Sequence, residues 1–207
     1  MLILCSNGLS SDTLLSVIKE KTAGCQNAAL VVTANHQYKE NSFHVERCTE
    51  ELQALGLSVQ NFDLDTQPAE ALYNYDVVEF IGGNPYYLLK SVRESNAAEV
   101  LKNIAEKKIL IGWSAAVFVF GPTLELADMY TPEMNLWGMT DLRGIGLTDV
   151  EVLPHYDTFI KRFADFEEKC RQYEEKHNVN VIRISDGEGI LIENQTVTIY
   201  KRQQETL

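Results

Sequence analysis

The 207-residue chain is poor in the residues that mark special classes of protein. It has four cysteines, 12 glycines and five prolines, beside an ordinary 45% of apolar and 23% of charged residues. This composition excludes a disordered tail, a collagen-like fibre and a disulfide miniprotein. The cysteines are scattered, with neither C-x-x-C spacing nor a histidine at metal-finger spacing. We therefore predict reduced thiols and no metal site.

Long hydrophobic runs and an excess of positive charge are also missing. The longest apolar stretch, residues 109–120, has 12 residues, whereas a membrane helix needs about 20. The first 12 residues lack the basic region of a signal peptide. Thirty acidic residues outnumber 18 basic ones, for a net charge of −12, so the chain repels phosphate backbones and anionic lipid. We expect a cytoplasmic protein with neither nucleic acid nor membrane as a partner.

Short apolar runs alternate with helical stretches along most of the chain. The predicted strands span 2–5, 30–33, 58–62, 77–81, 108–112, 150–153 and 179–185, followed by a closing hairpin of 190–192 and 197–200. The predicted helices span 10–22, 40–55, 85–92, 99–106 and 158–177. The strands are continuous apolar runs, which is typical of strands buried on both faces. The pattern predicts an α/β fold in a single domain, residues 1–207: a doubly wound, mostly parallel open sheet with helices on both faces and a C-terminal β-hairpin.

One long segment, residues 122–146, lacks a regular pattern. Its apolar residues are scattered and three glycines interrupt its second half. Connections of this length are usually functional or mobile. We predict that the segment is a mobile cover over a binding crevice.

The stretch 109–116 carries the most specific chemical signal. A buried strand leads into Gly-x-Ser-x-Ala, with Ser114 between Gly112 and Ala116, and an apolar helical run follows. Small neighbours allow the sharp turn that exposes a nucleophilic serine at the end of a strand. A serine that merely caps a buried helix is the competing interpretation.

A glycine pair follows another predicted strand. Gly82 and Gly83 precede a helix that begins at Pro85. Ligands of an open parallel sheet bind outside the carboxyl ends of its strands, so these backbone N–H groups can share a crevice with Ser114. Together with the N–H of Ala115 they would suit an oxyanion hole, although an ordinary tight turn explains the pattern equally well.

His155 is the candidate base, because it follows the predicted strand 150–153. A lone histidine is more often structural, but one that ends a strand of the sheet carrying a serine turn favours catalysis. An acid would orient its imidazole. Glu188, flanked by two glycines, is the candidate, and Asp157 and Asp186 also lie within plausible reach.

Taken in chain order, these motifs resemble the peptidase E (aspartyl dipeptidase) family, which is related to cyanophycinases and has a fold like that of the class I glutamine amidotransferases. The matching segments are 82–84 with 88–89, 111–115, 154–156 and 187–189. The resemblance implies that Ser114 is the nucleophile, His155 the base and Glu188 the third triad member. It also implies that Gly83 and Ala115 donate to the oxyanion.

The chain departs from the family pattern at several positions. Ile81 stands where the family usually has a first glycine, and Ala116 stands where the serine turn usually has glycine. The family's basic residues after the catalytic histidine are reduced to Lys161 and Arg162, so a preference for N-terminal Asp does not carry over securely. The substrate-binding candidates are Gly82, Asn84, Asp157, Lys161 and Arg162.

The function that these motifs predict is a serine peptidase for small peptides, including dipeptides with N-terminal Asp, that uses a Ser-His-Glu triad and needs no cofactor. Two alternatives stay open. The chain could be a non-catalytic descendant that binds small peptides, or an esterase with the same triad. The sequence fixes neither the side-chain preference nor the choice between monomer and dimer.

Overall fold

The computed structural model describes residues 1–202. Its strands are β1 (Leu2–Cys5), β2 (Asn27–Val31), β3 (Ser58–Phe62), β4 (Val77–Phe80), β5 (Ile109–Trp113), β6 (Glu151–Leu153), β7 (Val181–Arg183), β8 (Gly189–Glu193) and β9 (Thr196–Tyr200). Its α-helices are α1 (Asp12–Lys21), α2 (Phe43–Ala54), α3 (Pro85–Glu94), α4 (Ala97–Lys107), α5 (Ala115–Phe120), α6 (Glu125–Tyr130), α7 (Tyr156–Arg162) and α8 (Phe166–His177).

Seven strands form the main sheet, in the order β3-β2-β4-β5-β1-β8-β9. The first five are parallel, and β8 joins β1 antiparallel before pairing with β9. The hairpin turn uses Asn194 and Gln195, both with positive φ, as tight two-residue hairpin turns require. The predicted α/β fold, with its mostly parallel sheet and C-terminal hairpin, is confirmed.

Two apolar layers cover the faces of the sheet. Alternate residues of β1 enter different layers: Leu2 and Leu4 pack in one, and Ile3 and Cys5 in the other. The first layer is closed by α3, α4, α5, α6 and α8, and the second by α1 and α2. The parallel strands therefore end together at one edge, where their carboxyl-terminal loops meet.

Two strands predicted for the main sheet lie outside it. Within residues 1–202, β6 and β7 pair only with each other, in a separate two-stranded parallel sheet. The predicted helix 158–177 is also divided, because Phe163 has extended backbone between α7 and α8. The break lets Phe159, Phe163 and Phe166 all pack on Tyr130, with ring centroids 4.8–5.7 Å apart.

The segment 122–146 is more regular than its sequence indicates. It contains α6, whose Leu126 and Tyr130 are buried in the core. Backbone bonds tie its two ends together, including Gly144 N–H to the Pro122 carbonyl (2.9 Å) and Leu124 N–H to the Leu142 carbonyl (2.7 Å). That this segment is a mobile cover over the binding crevice stays a prediction. Within residues 1–202, no helix is both long and apolar enough to cross a membrane.

Candidate active site

Ser114 lies at the sharp turn between β5 and α5. Its backbone has φ 54° and ψ −109°, a combination that non-glycine residues avoid and that is typical of a strained nucleophile turn. The turn needs a small residue at Gly112, since a Cβ there would lie 2.6 Å from the Phe120 ring and 2.9 Å from the Ala116 Cβ. The Ala116 methyl group is buried against this strand. The structure therefore accommodates alanine at a position where the serine turn usually has glycine.

His155 is brought to Ser114 by the small sheet. It follows β6, adopts a left-handed backbone conformation (φ 59°) and begins α7. Its Nε2 lies 2.9 Å from Ser114 Oγ. The predicted pairing of Ser114 with His155 is therefore present, although the histidine comes from outside the main sheet.

Asp186 completes the hydrogen-bonded chain. Its Oδ1 lies 2.9 Å from His155 Nδ1. The hydrogen bond with His155 is the main reason that the pKa of Asp186 lies below its ordinary value, and a bond from Ser6 adds to the effect against partial burial. With Nδ1–H donating to this carboxylate, Nε2 keeps the lone pair that accepts the Ser114 proton.

The prediction that Glu188 orients His155 is wrong in this structure. Gly187 has φ 83°, and the turn it forms folds Glu188 back, so that its carboxylate accepts the Ser185 N–H at 2.9 Å and the Lys201 ammonium at 3.0 Å. Glu188 thus closes the turn that presents Asp186.

Asp157, predicted to bind substrate, supports the acid instead. Its carboxylate accepts the Asp186 backbone N–H at 3.2 Å and lies 3.6 Å from the Arg202 guanidinium. Asp157 therefore holds the backbone of Asp186 through its carboxylate.

Ser6 and Asn7 are site residues that the sequence reasoning missed. The Ser6 hydroxyl accepts the His155 backbone N–H at 2.8 Å and donates to Asp186 Oδ1 at 2.7 Å. The Asn7 amide lies 3.5 Å from the other Asp186 oxygen. Both follow β1, and their position after a buried parallel strand was the available signal.

The backbone around Gly83 and Ala115 suits an oxyanion hole. Gly83 is exposed with φ 157°, and a Cβ there would lie 2.3 Å from the Ala34 carbonyl oxygen. Ala115 is the first residue of α5, a position whose N–H has no partner within the helix. Within residues 1–202, neither N–H donates a hydrogen bond to the protein. Both are therefore free to meet a ligand.

Gly82 and Asn84, also predicted to bind substrate, have structural roles. A Cβ on Gly82 would lie 2.5 Å from the Trp113 ring and 2.9 Å from the Ser114 Cβ, so glycine lets this loop pass beside the nucleophile. Asn84 is buried; it caps α3 by accepting two backbone N–H groups and donates to the Met134 carbonyl at 2.7 Å. Its amide is therefore committed to joining the loop to the segment 122–146.

The two predicted basic residues are on the surface of α7. Lys161 and Arg162 are exposed, and the Arg162 guanidinium lies 3.6 Å from the Glu133 carboxylate. Two other basic side chains pack on Trp113, the residue before Ser114: the His44 ring lies edge-on to it (4.9 Å) and the Arg47 guanidinium lies over it (5.4 Å). Burial, followed by the charges of Arg47 and His155, lowers the pKa of His44.

An α/β sheet that presents a strained serine, hydrogen-bonded through histidine to aspartate, defines a hydrolase-like site at the carboxyl edge of its strands. The sequence profile of Peptidase family S51 matches residues 2–200. The chain belongs to this peptidase family, and the resemblance to peptidase E is confirmed.

Individual relatives agree with the family. An uncharacterized peptidase of Listeria monocytogenes is 27% identical over 165 residues, covering 77% of this chain and 78% of that protein. Peptidase E of Salmonella arizonae is 23% identical over 177 residues, covering 79% and 76%. The crystal structure of a Listeria monocytogenes protein provisionally assigned as peptidase E has a TM-score of 0.76 at 24% identity, with 98% of both chains covered. A peptidase from an acI-B1 actinobacterium has a TM-score of 0.63 at 19% identity, covering 98% and 91%; these structures support the fold.

Proposed function

We propose that the protein is a serine peptidase that cleaves small peptides with Ser114, His155 and Asp186. The observation that carries the proposal is the continuous chain of two 2.9 Å hydrogen bonds, from Ser114 Oγ to His155 Nε2 and from His155 Nδ1 to Asp186 Oδ1. Membership of a peptidase family supports peptide bonds as the target.

The steps follow from this geometry. Ser114 Oγ attacks the peptide carbonyl carbon while His155 Nε2 takes the hydroxyl proton. The carbonyl oxygen becomes an oxyanion, which the N–H groups of Gly83 and Ala115 stabilise. His155 then returns the proton to the departing amine, and the acyl-enzyme forms. Water, activated by the same imidazole, releases the acid and regenerates Ser114.

Asp186 acts through His155. As an ionised carboxylate it accepts the Nδ1–H, holds the imidazole in the required tautomer and stabilises the imidazolium that forms during attack. The low pKa of Asp186 supports this role, because the group stays charged at neutral pH.

Covalent labelling tests the nucleophile. Wild-type protein is treated with a fluorophosphonate, and the modified peptide is located by mass spectrometry. We expect modification at Ser114, with none in Ser114→Ala and full modification in Ser10→Ala, an exposed serine outside the site. Absence of labelling in the wild type would favour the non-catalytic alternative.

A substrate panel tests the reaction. We expect cleavage of dipeptides, and hydrolysis of matched aryl esters as well, because a phenolate is a better leaving group than an amine. Asp-X, Asn-X and Ala-X dipeptides compared under identical conditions show whether an N-terminal acidic side chain is preferred. Hydrolysis of esters alone would show that the esterase alternative is correct.

A further inference from the structure

A small cluster of polar side chains lies inside the apolar layer covered by α1 and α2. Cys48 and Glu51 are three residues apart on α2 and therefore share one face of the helix. Glu79 comes from the middle of β4 on the sheet below. The Cys48 sulfur and one carboxylate oxygen from each glutamate lie within 4.8 Å of one another. None of its three members belongs to the hydrogen-bonded chain at Ser114.

Glu79 is the unusual member of the cluster. Its side chain is fully buried, and neither of its carboxylate oxygens has a hydrogen-bond partner within residues 1–202. Its neighbours across the sheet are Leu30 and Ile111, so packing alone would favour an apolar residue. Burying an unpartnered carboxyl group costs on the order of 1–3 kcal/mol or more. Burial, with the charge of Glu51, raises the pKa of Glu79 to about 8.

The cluster also contains a second buried polar group without a partner, and a carboxylate that other residues already orient. The Trp113 indole N–H is buried beside Glu79 and Cys48 and has no acceptor in the described part of the chain. The Glu51 carboxylate is already oriented by the Arg47 guanidinium (2.7 Å) and the Leu9 N–H (3.0 Å). Such supporting bonds are what metal-binding carboxylates receive from their surroundings.

We propose that Cys48, Glu51 and Glu79 bind one divalent metal ion, and that Zn²⁺ is the ion that fits. A thiolate with two carboxylates suits zinc, whereas Mg²⁺ and Ca²⁺ take oxygen ligands. Zinc bonds of about 2.3 Å to sulfur and about 2.0–2.2 Å to oxygen require the three side chains to draw together, which glutamate torsions allow.

Charge balance favours the same ion. The thiolate and two carboxylates carry three negative charges, which a divalent cation and the Arg47 guanidinium neutralise together. The site would join α2 to β4 beneath Trp113 and would be structural.

Metal binding is tested on the full chain, independently of any activity. Chelator-treated protein is titrated with Co²⁺ and Zn²⁺, and bound metal is measured by mass spectrometry after gel filtration. We expect about one zinc per chain, a thiolate-to-cobalt charge-transfer band and a rise of Tm on adding zinc. Cys48→Ser should lose the charge-transfer band, and Glu79→Gln should lose stoichiometric zinc. Cys170→Ser, a buried cysteine of the other core layer, should retain both.

The zinc content and cobalt spectrum of the wild-type protein test the proposal even where a variant fails to fold. If wild-type protein retains no zinc, or binds cobalt without a charge-transfer band, the proposal is overturned. It is equally overturned if Cys48→Ser and Glu79→Gln bind zinc as tightly as Cys170→Ser.

Discussion

The Ser6 hydroxyl joins the proposed base to its acid: it accepts the backbone N–H of His155 at 2.8 Å and donates to Asp186 Oδ1 at 2.7 Å. Ser6 is fully buried and follows β1 in the middle of the sheet. One side chain thus fixes both the start of α7 and the orientation of the carboxylate. The small β6–β7 sheet is joined to the main sheet at this point.

We expect Ser6→Ala to lower kcat by about 10–100-fold, because hydrogen bonds to charged groups are worth about 1.5–3 kcal/mol. KM should change little, since Ser6 does not face the substrate. The measurement is steady-state kinetics on a cleavable dipeptide, with Ser10→Ala as the exposed control. A variant with unchanged kcat would show that Ser6 has only a packing role.

The identity of the acid gives the second prediction. Asp186→Asn should reduce turnover by on the order of 10⁴, as loss of an orienting aspartate does in serine proteases. Glu188→Gln should stay within about tenfold of wild type, because its carboxylate contacts Ser185 and Lys201. The two variants are compared on one substrate after circular dichroism has shown both to be folded. The reverse order of activities would restore Glu188 as the catalytic acid.

The third prediction concerns the proposed oxyanion loop. Gly83→Ala would place a methyl group 2.3 Å from the Ala34 carbonyl oxygen, so the loop must move and its N–H must leave the oxyanion position. We expect kcat to fall by about 10²–10³, as on loss of one oxyanion donor. Gly24→Ala is the control, since Gly24 also has positive φ but no atom of the described residues 1–202 lies within 4 Å of the added methyl group. Equal activity of the two variants would argue against an oxyanion role for Gly83.

The lowered pKa of Asp186 gives a prediction about stability. Because the hydrogen bond with His155 holds this pKa below the unfolded value of about 3.9, ionised Asp186 adds stability above that pH. The contribution is lost as the pH falls through the lower, folded-state pKa. The free energy of unfolding of wild type should therefore exceed that of Asp186→Asn by more at about pH 6 than at about pH 3. Urea unfolding at both values measures it, and a difference independent of pH would contradict the assignment.

The match between sequence and structure is uneven across the site. Ser114 and His155 could be predicted because each stands directly after a recognisable apolar strand, and the hydroxyl and imidazole meet at 2.9 Å. The acid could not be chosen in the same way. Asp186 and Glu188 are two residues apart, and the φ of 83° at Gly187 decides which carboxylate reaches His155.

The predicted substrate residues show the same limit. Asn84 and Asp157 lie near the site as expected, but their side chains are used by a helix cap and by the Asp186 backbone. Lys161 and Arg162 were predicted from proximity in sequence, and α7 carries both to its surface. Residue type alone does not show which hydrogen bonds a side chain has already made.

The sequence by itself determined the alternation of buried strands and helices, the closing hairpin and the turn that exposes Ser114, because these depend on apolar periodicity and on small residues next to one another. Only the tertiary structure decided that β6 and β7 form their own sheet, that Ser6 supports His155 and Asp186, and that Glu79 meets Cys48 and Glu51. The physical reason is that these contacts join elements far apart in the chain. Their geometry is set by backbone turns and by the packing of two core layers, neither of which leaves a local pattern.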